Sequence, residues 1–266
     1  MTTTNICNFV VYNNIRQNII KKMIAEAKKE IAKNLQAQIN ALQGFGRQSE
    51  ESVDSKRLPF ASAFPHNTFP TGVIHEFLSY EPADAASTNG FITALTGKFM
   101  KEGGLCLWVG SQKKIFPLGL KQYGLEPDRI VFINPSKIKD ALWIIEEALK
   151  CEALTAVVGE IKEFGFTESR RFQLAVERSG VTGFIHRYRP HAENATASTA
   201  RWKIIPLPTV ITDDLPGIGY SSWNVQLLKV KNGKPASWEV SWSDGLFTPI
   251  TKNDFSIGSD QKRNAG

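Results

Sequence analysis

Residues 69–109 read FPTGVIHEFLSYEPADAASTNGFITALTGKFMKEGGLCLWV. The apolar runs Val73–Ser79 and Leu105–Val109 have the length and composition of buried strands, and Gly90–Lys101 has the pattern of a helix between them. Together they predict a β-α-β unit. The connection into the helix, Tyr80–Asn89, has neither closely spaced glycines nor a Lys-Ser/Thr pair, with which a phosphate-binding loop holds a polyphosphate. The segment therefore predicts a nucleotide-binding scaffold whose phosphate loop is missing.

The alternation of strands and helices continues beyond this unit. Short apolar runs predict further strands at Ile130–Ile133, Leu154–Val158 and Val181–Ile185. Helices are predicted between them at Ser136–Cys151, with Ser136 as the N-cap, and at Thr167–Ser179. Such alternation is typical of a mostly parallel sheet flanked by helices on both faces. Nearer the C-terminus, Asn232-Gly233 joins Trp223–Lys231 to Ser237–Ser243 and predicts an antiparallel hairpin.

Composition divides the chain into three parts. Residues 1–57 are predicted to be a helical arm and a polar linker, residues 58–250 an α/β core, and residues 251–266 a disordered tail. The arm contains a long basic amphipathic helix over residues 14–43. Its apolar face includes Ile20, Ile24, Ile31 and Leu35. Two interpretations of this face are open: it packs on its own domain, or it docks on another protein.

The distribution of charge and the targeting patterns reduce the number of function classes that fit the sequence. The net charge is +6, but residues 58–250 hold 20 Lys and Arg against 19 Asp and Glu, so the core is almost neutral. A nucleic-acid partner for the core is therefore not the first expectation. No apolar run is long enough to span a membrane, and the N-terminus has no secretory pattern, which favours a cytoplasmic protein. The 3 cysteines have no metal-like spacing.

Residue patterns that would support catalysis or metal binding are weak. The 4 histidines have no zinc-type spacing, and no nucleophile, base and acid occur in a familiar order. For His75-Glu76, adjacent positions in a strand predict one buried and one exposed side chain. Glu160 and Glu163 are interpreted as solvated loop acids. We expect no catalytic residue, no bound metal and no cofactor.

Two groups of cations are candidates for binding a partner. Arg187, Tyr188, Arg189 and Arg201 flank a polar loop and combine cations with an aromatic ring, as single-stranded DNA sites do. Alternatively, these arginines cover the edges of the sheet. Arg170 and Arg171 lie on an exposed helical turn, where they are either partner contacts or solvated charges.

The order of elements resembles the RecA recombinase core, and the chain as a whole is similar to the ImuA family of RecA-like proteins, which is grouped with SulA-type sequences. The resemblance spans about residues 58–250 and is carried by Phe69–Phe77 (FPTGVIHEF), Arg170–Ala175 (RRFQLA) and Leu227–Lys234 (LLKVKNGK). Tyr80–Asn89 stands where RecA has its phosphate loop. Gly110-Ser111-Gln112 lacks the glutamate that positions water, and Gly159-Glu160 matches the strand-end aspartate pattern only loosely.

The resemblance implies a non-catalytic accessory role in DNA repair, in the SOS response and its mutagenic translesion synthesis. Its implied partners are an ImuB-type polymerase-like protein and RecA. RecA-like proteins also use a Phe-x-x-Ala segment to dock on a neighbour, and Phe60 and Ala63 fit that spelling. The alternative is that Phe60 anchors the first turn of the core. Other open classes are a single-stranded DNA-binding module, a residual NTPase and a SulA-type cell-division inhibitor.

Overall fold

The computed structural model describes residues 28–31, 34–35, 58–101, 103–110, 117–210 and 219–250. The chain divides into two units, Met1–Gly46 and Arg47–Gly266, and the β-sheet belongs to the second. In the first unit, residues 28–31 and 34–35 are helical. The predicted arm residues Ile20 and Ile24 and the predicted tail lie outside the described residues. Within the described ranges, no helix has the length and apolarity needed to cross a membrane.

The second unit alternates strands and helices as predicted. Its strands are β1 (Ile74–Ser79), β2 (Leu105–Val109), β3 (Ile130–Ile133), β4 (Leu154–Glu160), β5 (Thr182–Tyr188), β6 (Ala200–Val210), β7 (Tyr220–Val230), β8 (Ala236–Ser243) and β9 (Leu246–Pro249). Its α-helices are α1 (Pro82–Phe99), α2 (Pro117–Leu120), α3 (Ile138–Leu149) and α4 (Phe166–Ser179). Short 3-10 turns lie at Ala61–Ala63, Pro65–Asn67, Lys121–Tyr123 and Pro127–Arg129.

All nine of these strands form one sheet in the order β3-β2-β4-β5-β1-β6-β7-β8-β9. The neighbours from β3 to β6 run parallel, and β6 to β9 are joined by antiparallel pairing. This confirms the predicted fold class: an α/β core with a mostly parallel central sheet, flanking helices and a C-terminal antiparallel hairpin. It is the architecture that the resemblance to the RecA core implies.

The central strand β1 is covered on both faces. On one face Ile74 packs in an apolar core with residues of α3 and α4, including Ile145 and Phe172. On the other face Phe77 contacts Phe91 of α1. Because both faces are covered, His75 and Glu76 are each 0% exposed. The prediction that one of this pair is exposed was therefore wrong.

The structure differs from the prediction at two helix starts and at the C-terminal end of the sheet. Helix α1 begins at Pro82 rather than at Gly90. Ser136 is not the N-cap of α3, because that position belongs to Lys137 and carries no side-chain cap. The predicted hairpin is confirmed, with Asn232 at a φ of 57°, but a further strand, β9, follows it. That strand is only 4 residues long, too short to show an alternating pattern.

Candidate functional site

The junction between β1 and α1 is where the phosphate loop was predicted to be missing. β1 ends at Ser79 and α1 begins at Pro82, so Tyr80 and Glu81 alone connect them. The prediction that the loop extends to Asn89 was wrong. Helix is favoured from Pro82 onward because proline suits the first helical position and Asp84 lies in the first turn. The missing loop is thus replaced by two additional turns of helix.

Beside this junction, side chains from α1 and from near the carboxyl ends of four strands form a hydrogen-bonded chain. We call it the polar cluster; its members are Ser79, Thr88, Asn89, Trp108, Glu160 and His186. His186 Nδ1 lies 2.8 Å from Asn89 Oδ1, and His186 Nε2 lies 3.0 Å from Ser79 Oγ. Ser79 Oγ lies 2.8 Å from Thr88 Oγ1. The carboxyl ends of parallel strands are the usual ligand-binding edge of such sheets, and here side chains fill it.

The protonation states in the polar cluster follow from its geometry. Burial lowers the pKa of His186 to about 4, so its ring is neutral near pH 7. Asn89 Nδ2 donates to Glu160 Oε1 over 3.3 Å, which turns Asn89 Oδ1 toward His186 as an acceptor. His186 Nδ1 therefore carries the proton, and Ser79 donates its hydroxyl proton to Nε2. This order resembles a Ser-His-Asn triad, but Ser79 is 0% exposed and has no access to a substrate.

Glu160 is the acidic member of the polar cluster. It is the last residue of β4 and is not a solvated loop acid, which corrects the sequence interpretation. The side chain is held inward because Trp108 Nε1 donates to its Oε1 over 3.1 Å. Burial raises the pKa of Glu160 to about 7 against the opposing effect of the Trp108 and Asn89 hydrogen bonds. Its Oε2 is buried and has no hydrogen-bond partner among the described residues. Glu163, by contrast, is exposed, as predicted.

The raised pKa of Glu160 predicts that stability falls as pH rises. The folded state keeps the proton up to about pH 7, whereas the unfolded chain releases it near 4.5, so this contribution is complete below 4.5 and is lost through 7. One pKa unit corresponds to about 1.4 kcal/mol, so we expect a loss of roughly 1–3 kcal/mol between pH 5 and 8. Denaturant unfolding of the parent and of Glu160→Gln would measure it.

The parent must be compared with Glu160→Gln because the two buried histidines change stability with pH in the opposite direction. The pKa values of His75 and His186 are lowered to about 4, so their contribution grows as pH rises from 4 toward 6.5. That contribution cancels in the difference between parent and variant. Glu152→Gln, at an exposed carboxyl, serves as the control. A stability difference that does not change with pH would contradict the assignment.

A second buried network joins three adjacent strands through Glu76 of β1. Arg187 Nη1 of β5 lies 2.8 Å from Glu76 Oε1, and Arg201 Nε of β6 lies 3.1 Å from Oε2. Thr196 donates to the same Oε2 over 2.6 Å. Arg187 also donates to the carbonyl oxygens of Lys162 and Ala192. Both oxygens of the carboxylate and most donors of the arginine are therefore occupied inside the protein.

This network changes the interpretation of the predicted nucleic-acid site. Arg187 is 0% exposed and Arg201 is buried, so neither side chain is available to a nucleic acid in this fold. The hydrophobic cover on both sheet faces explains their burial, and Glu76 supplies the compensating charge. Tyr188 is half-buried and Arg189 is exposed. The Arg189 guanidinium lies over the Tyr188 ring at 5.2 Å, and its Nε donates to the Tyr80 carbonyl over 2.8 Å.

The predicted Phe-x-x-Ala residues lie in the core. Phe60 is 0% exposed and Ala63 is buried, so the segment has no side chain free to dock on a neighbour except Ser62. The alternative interpretation, that Phe60 anchors the first turn of the core, fits this placement. Of the predicted arm residues, Ile31 and Leu35 are 59% and 53% exposed. Their role in binding a partner stays a prediction.

The exposed helices α3 and α4 form an open groove, which we call the α3/α4 groove. It has a volume of about 230 Å³ and is lined by Lys139, Leu142, Trp143, Glu146, Glu168, Arg171 and Phe172. Arg171 lies here as an exposed cation paired with Glu146, and Arg170 lies on the same helix, 4.0 Å from Glu177. Ile138, at the first position of α3, is 61% exposed.

Most residues of the polar cluster and of the α3/α4 groove were not identified from the sequence. The exposure of Trp143 could have been predicted, because a residue next to Leu142 lies outside the apolar face of α3. Ser79, Asn89 and His186 belong to three different elements, and only the strand order brings them together. Among the described residues, no group of three or more His, Cys, Asp or Glu side chains could hold a metal ion.

Comparisons with known proteins agree with the resemblance. Two curated relatives, each called Protein ImuA and each from a strain of Caulobacter vibrioides, are 30% identical to the chain over 187 residues. The aligned region covers 66% of this chain and 77% of each relative. No family model matches the chain. Among solved structures, the crystal structure of the RadB recombinase is similar, with a TM-score of 0.48 and 14% identity over 69% of this chain and 93% of that one.

Proposed function

The chain belongs to the ImuA family, and we propose that it is a RecA-like accessory protein of the DNA damage response. In this proposal it supports SOS mutagenesis and translesion synthesis by binding an ImuB-type polymerase-like protein and RecA in the cytoplasm. It acts through protein contacts and hydrolyses no nucleotide.

The observation that carries the non-catalytic part is the short connection between β1 and α1. A phosphate site needs several backbone N–H groups that converge on the anion at a helix N-terminus. Here Pro82 has no N–H, and the carboxylates of Glu81 and Asp84 lie at that terminus. Both features disfavour a polyphosphate, which carries several negative charges. The polar cluster occupies the neighbouring strand ends with side chains that bond to one another.

The protein-contact part is supported by exposed apolar side chains on α3 and α4. Trp143, Phe166 and Ile138 are 63%, 61% and 61% exposed. Contiguous exposed apolar patches mark sites that bind proteins, membranes or ligands. The near-neutral charge of residues 58–250 agrees with a partner other than nucleic acid.

The test is co-purification from damage-treated cells with and without nucleotide. A tagged full-length chain is recovered from two halves of one lysate, one supplied with ATP and Mg²⁺ and the other treated with apyrase to destroy nucleotides. We expect the polymerase-like partner and RecA in equal amounts from both halves. Loss of both partners after apyrase treatment would contradict the non-catalytic part, and their absence from both halves would contradict the whole proposal.

Two alternatives predict other outcomes of simple experiments. A single-stranded DNA-binding module would show salt-dependent affinity that falls on Arg189→Ala, the exposed cation of the predicted set. A SulA-type division inhibitor would cause filamentous growth when overproduced. Neither alternative is favoured by a specific observation. For the DNA-binding module in particular, Arg187 and Arg201 are already paired with Glu76.

A further inference from the structure

The connection between β5 and β6, residues 189–199, crosses the sheet without a helix. Both strands run parallel to β1, so the chain returns from the carboxyl edge of the sheet to the amino edge between them. Parallel strands are usually connected by a helix that covers the sheet. This connection has no helix and no strand, and its sequence, RPHAENATAST, contains no large aliphatic residue and no Phe, Tyr or Trp. We call it the strap.

Cations on three strands hold the strap through the backbone carbonyl oxygens of every second residue. The three pairs are Arg187 with Ala192 over 3.0 Å, Arg201 with Asn194 over 2.5 Å, and Lys229 with Thr196 over 3.2 Å. In addition, the Tyr80 hydroxyl donates to the Glu193 carboxylate. Polar contacts therefore fasten the strap, and the burial of apolar side chains contributes little to holding it closed.

Two features of the closed strap are unfavourable. Ser198 is 5% exposed, yet its Oγ has no hydrogen-bond partner among the described residues. A buried hydroxyl without a partner destabilises the closed state, because water would bond to it in an open state. Arg189 has a φ of 50°, a left-handed conformation that is unfavourable for residues other than glycine. Opening of the strap relieves both.

The strap thus differs from the sheet beneath it in what holds it in place. Every residue of β1 is buried, whereas residues 191–195 of the strap are all exposed. Segments with few buried apolar contacts open locally at a lower free energy than the core. We propose that the strap opens while the sheet stays folded, and so controls the access of solvent to Arg187 and Arg201. This inference goes beyond the proposed function and does not depend on it.

Two measurements on the full-length chain detect the opening. Hydrogen exchange followed by mass spectrometry compares peptides of the strap, where the N–H groups of Arg189 and Ala197 are hydrogen-bonded, with peptides of β4. Phenylglyoxal, a reagent for accessible arginines, gives the protection of the buried Arg187 relative to the exposed Arg189. We expect the strap amides and the Arg187 side chain to be protected at least about tenfold less than the β4 amides.

Two variants should shift the opening in opposite directions. Lys229→Met removes the donor to the Thr196 carbonyl and should increase strap exchange and Arg187 modification roughly fivefold, the effect of one hydrogen bond. Ser198→Ala removes the unpartnered hydroxyl and should decrease both by a similar factor of about five. Lys231→Met, at an exposed lysine in the turn after β7, is the matched control and should change neither.

Exchange of the β4 peptides at the parent rate will show that the sheet stays folded in all three variants. Equal protection of the strap and β4 peptides, modification of Arg187 only where the chain unfolds, or unchanged readouts in both Lys229→Met and Ser198→Ala would overturn the proposal. The measurements use no partner protein, so these failures are distinguishable from a failure of the proposed function.

Discussion

Replacing Glu76 by alanine should lower the free energy of unfolding by roughly 3–5 kcal/mol, the usual cost of removing one member of a buried ion pair. The variant leaves Arg187, which is 0% exposed, and the buried Arg201 without their carboxylate. Neither guanidinium can be neutralised by losing its proton, so each stays charged in a buried position. Urea unfolding followed by circular dichroism would measure the change.

The control for Glu76→Ala is Glu163→Ala. Glu163 also faces Arg187, with its carboxylate 3.9 Å from Nη2, but its side chain is 44% exposed. Exposed pairs contribute about 0–1 kcal/mol, so this variant should unfold close to the parent. For a core of this length, the loss from Glu76→Ala corresponds to a fall in Tm of roughly 6–20 °C. Equal stability of both variants would show that water reaches the arginines and that the network is not closed.

The Glu76 network shows where strand patterns mislead. Alternation predicts that one residue of an adjacent pair is exposed, and this holds in a sheet with one covered face. β1 lies between β5 and β6 and is covered on both faces, so every residue of the strand is buried. Arg187 and Arg201 were expected at the surface because they flank a polar loop, yet both are buried. The charged residues can be read from the sequence, but the order of the strands in the sheet cannot.

The sheet itself was predictable, because apolar runs report burial directly. The predicted strand Leu105–Val109 matches β2. The predicted strand Val73–Ser79 matches β1 except that β1 begins one residue later. The start of α1 was also readable, since Pro82 and Asp84 are typical of a first helical turn. From the absence of closely spaced glycines we predicted the missing phosphate loop, but we did not identify the start of the helix. An absent motif does not indicate which structure stands in its place.

The polar cluster and the α3/α4 groove could not be predicted from spacing. The cluster joins Asn89 to His186 and Glu160, which lie far apart along the chain and meet only because β4, β5 and β1 are adjacent. In the groove, Trp143 and Arg171 come from separate helices. Sites of this kind depend on the strand order and on helix packing, both of which are non-local properties.

Replacing Phe60 by alanine should lower the free energy of unfolding by roughly 3–5 kcal/mol, as large-to-small changes at buried aromatic residues do. The Phe60 ring is 0% exposed and lies 5.5–6.1 Å from the ring centroids of five others. These rings belong to Phe69, Phe91, Trp202, Trp238 and Phe247. Removing the ring leaves a cavity between α1 and the C-terminal strands that neither can fill without moving.

The same variant decides between the two interpretations of the Phe-x-x-Ala segment. If Phe60 anchored a neighbouring molecule instead, Phe60→Ala would retain the parent's stability and lose only partner binding. Ser62→Ala, at the exposed position of the segment, is the matched control and should leave stability within about 0.5 kcal/mol of the parent. Phe60→Leu should cost less than Phe60→Ala, because it leaves a smaller cavity. A graded loss of stability in the order Leu, then Ala, with partner binding reduced only in proportion to unfolding, would assign Phe60 to the core and leave the exposed helices as the place to search for contacts.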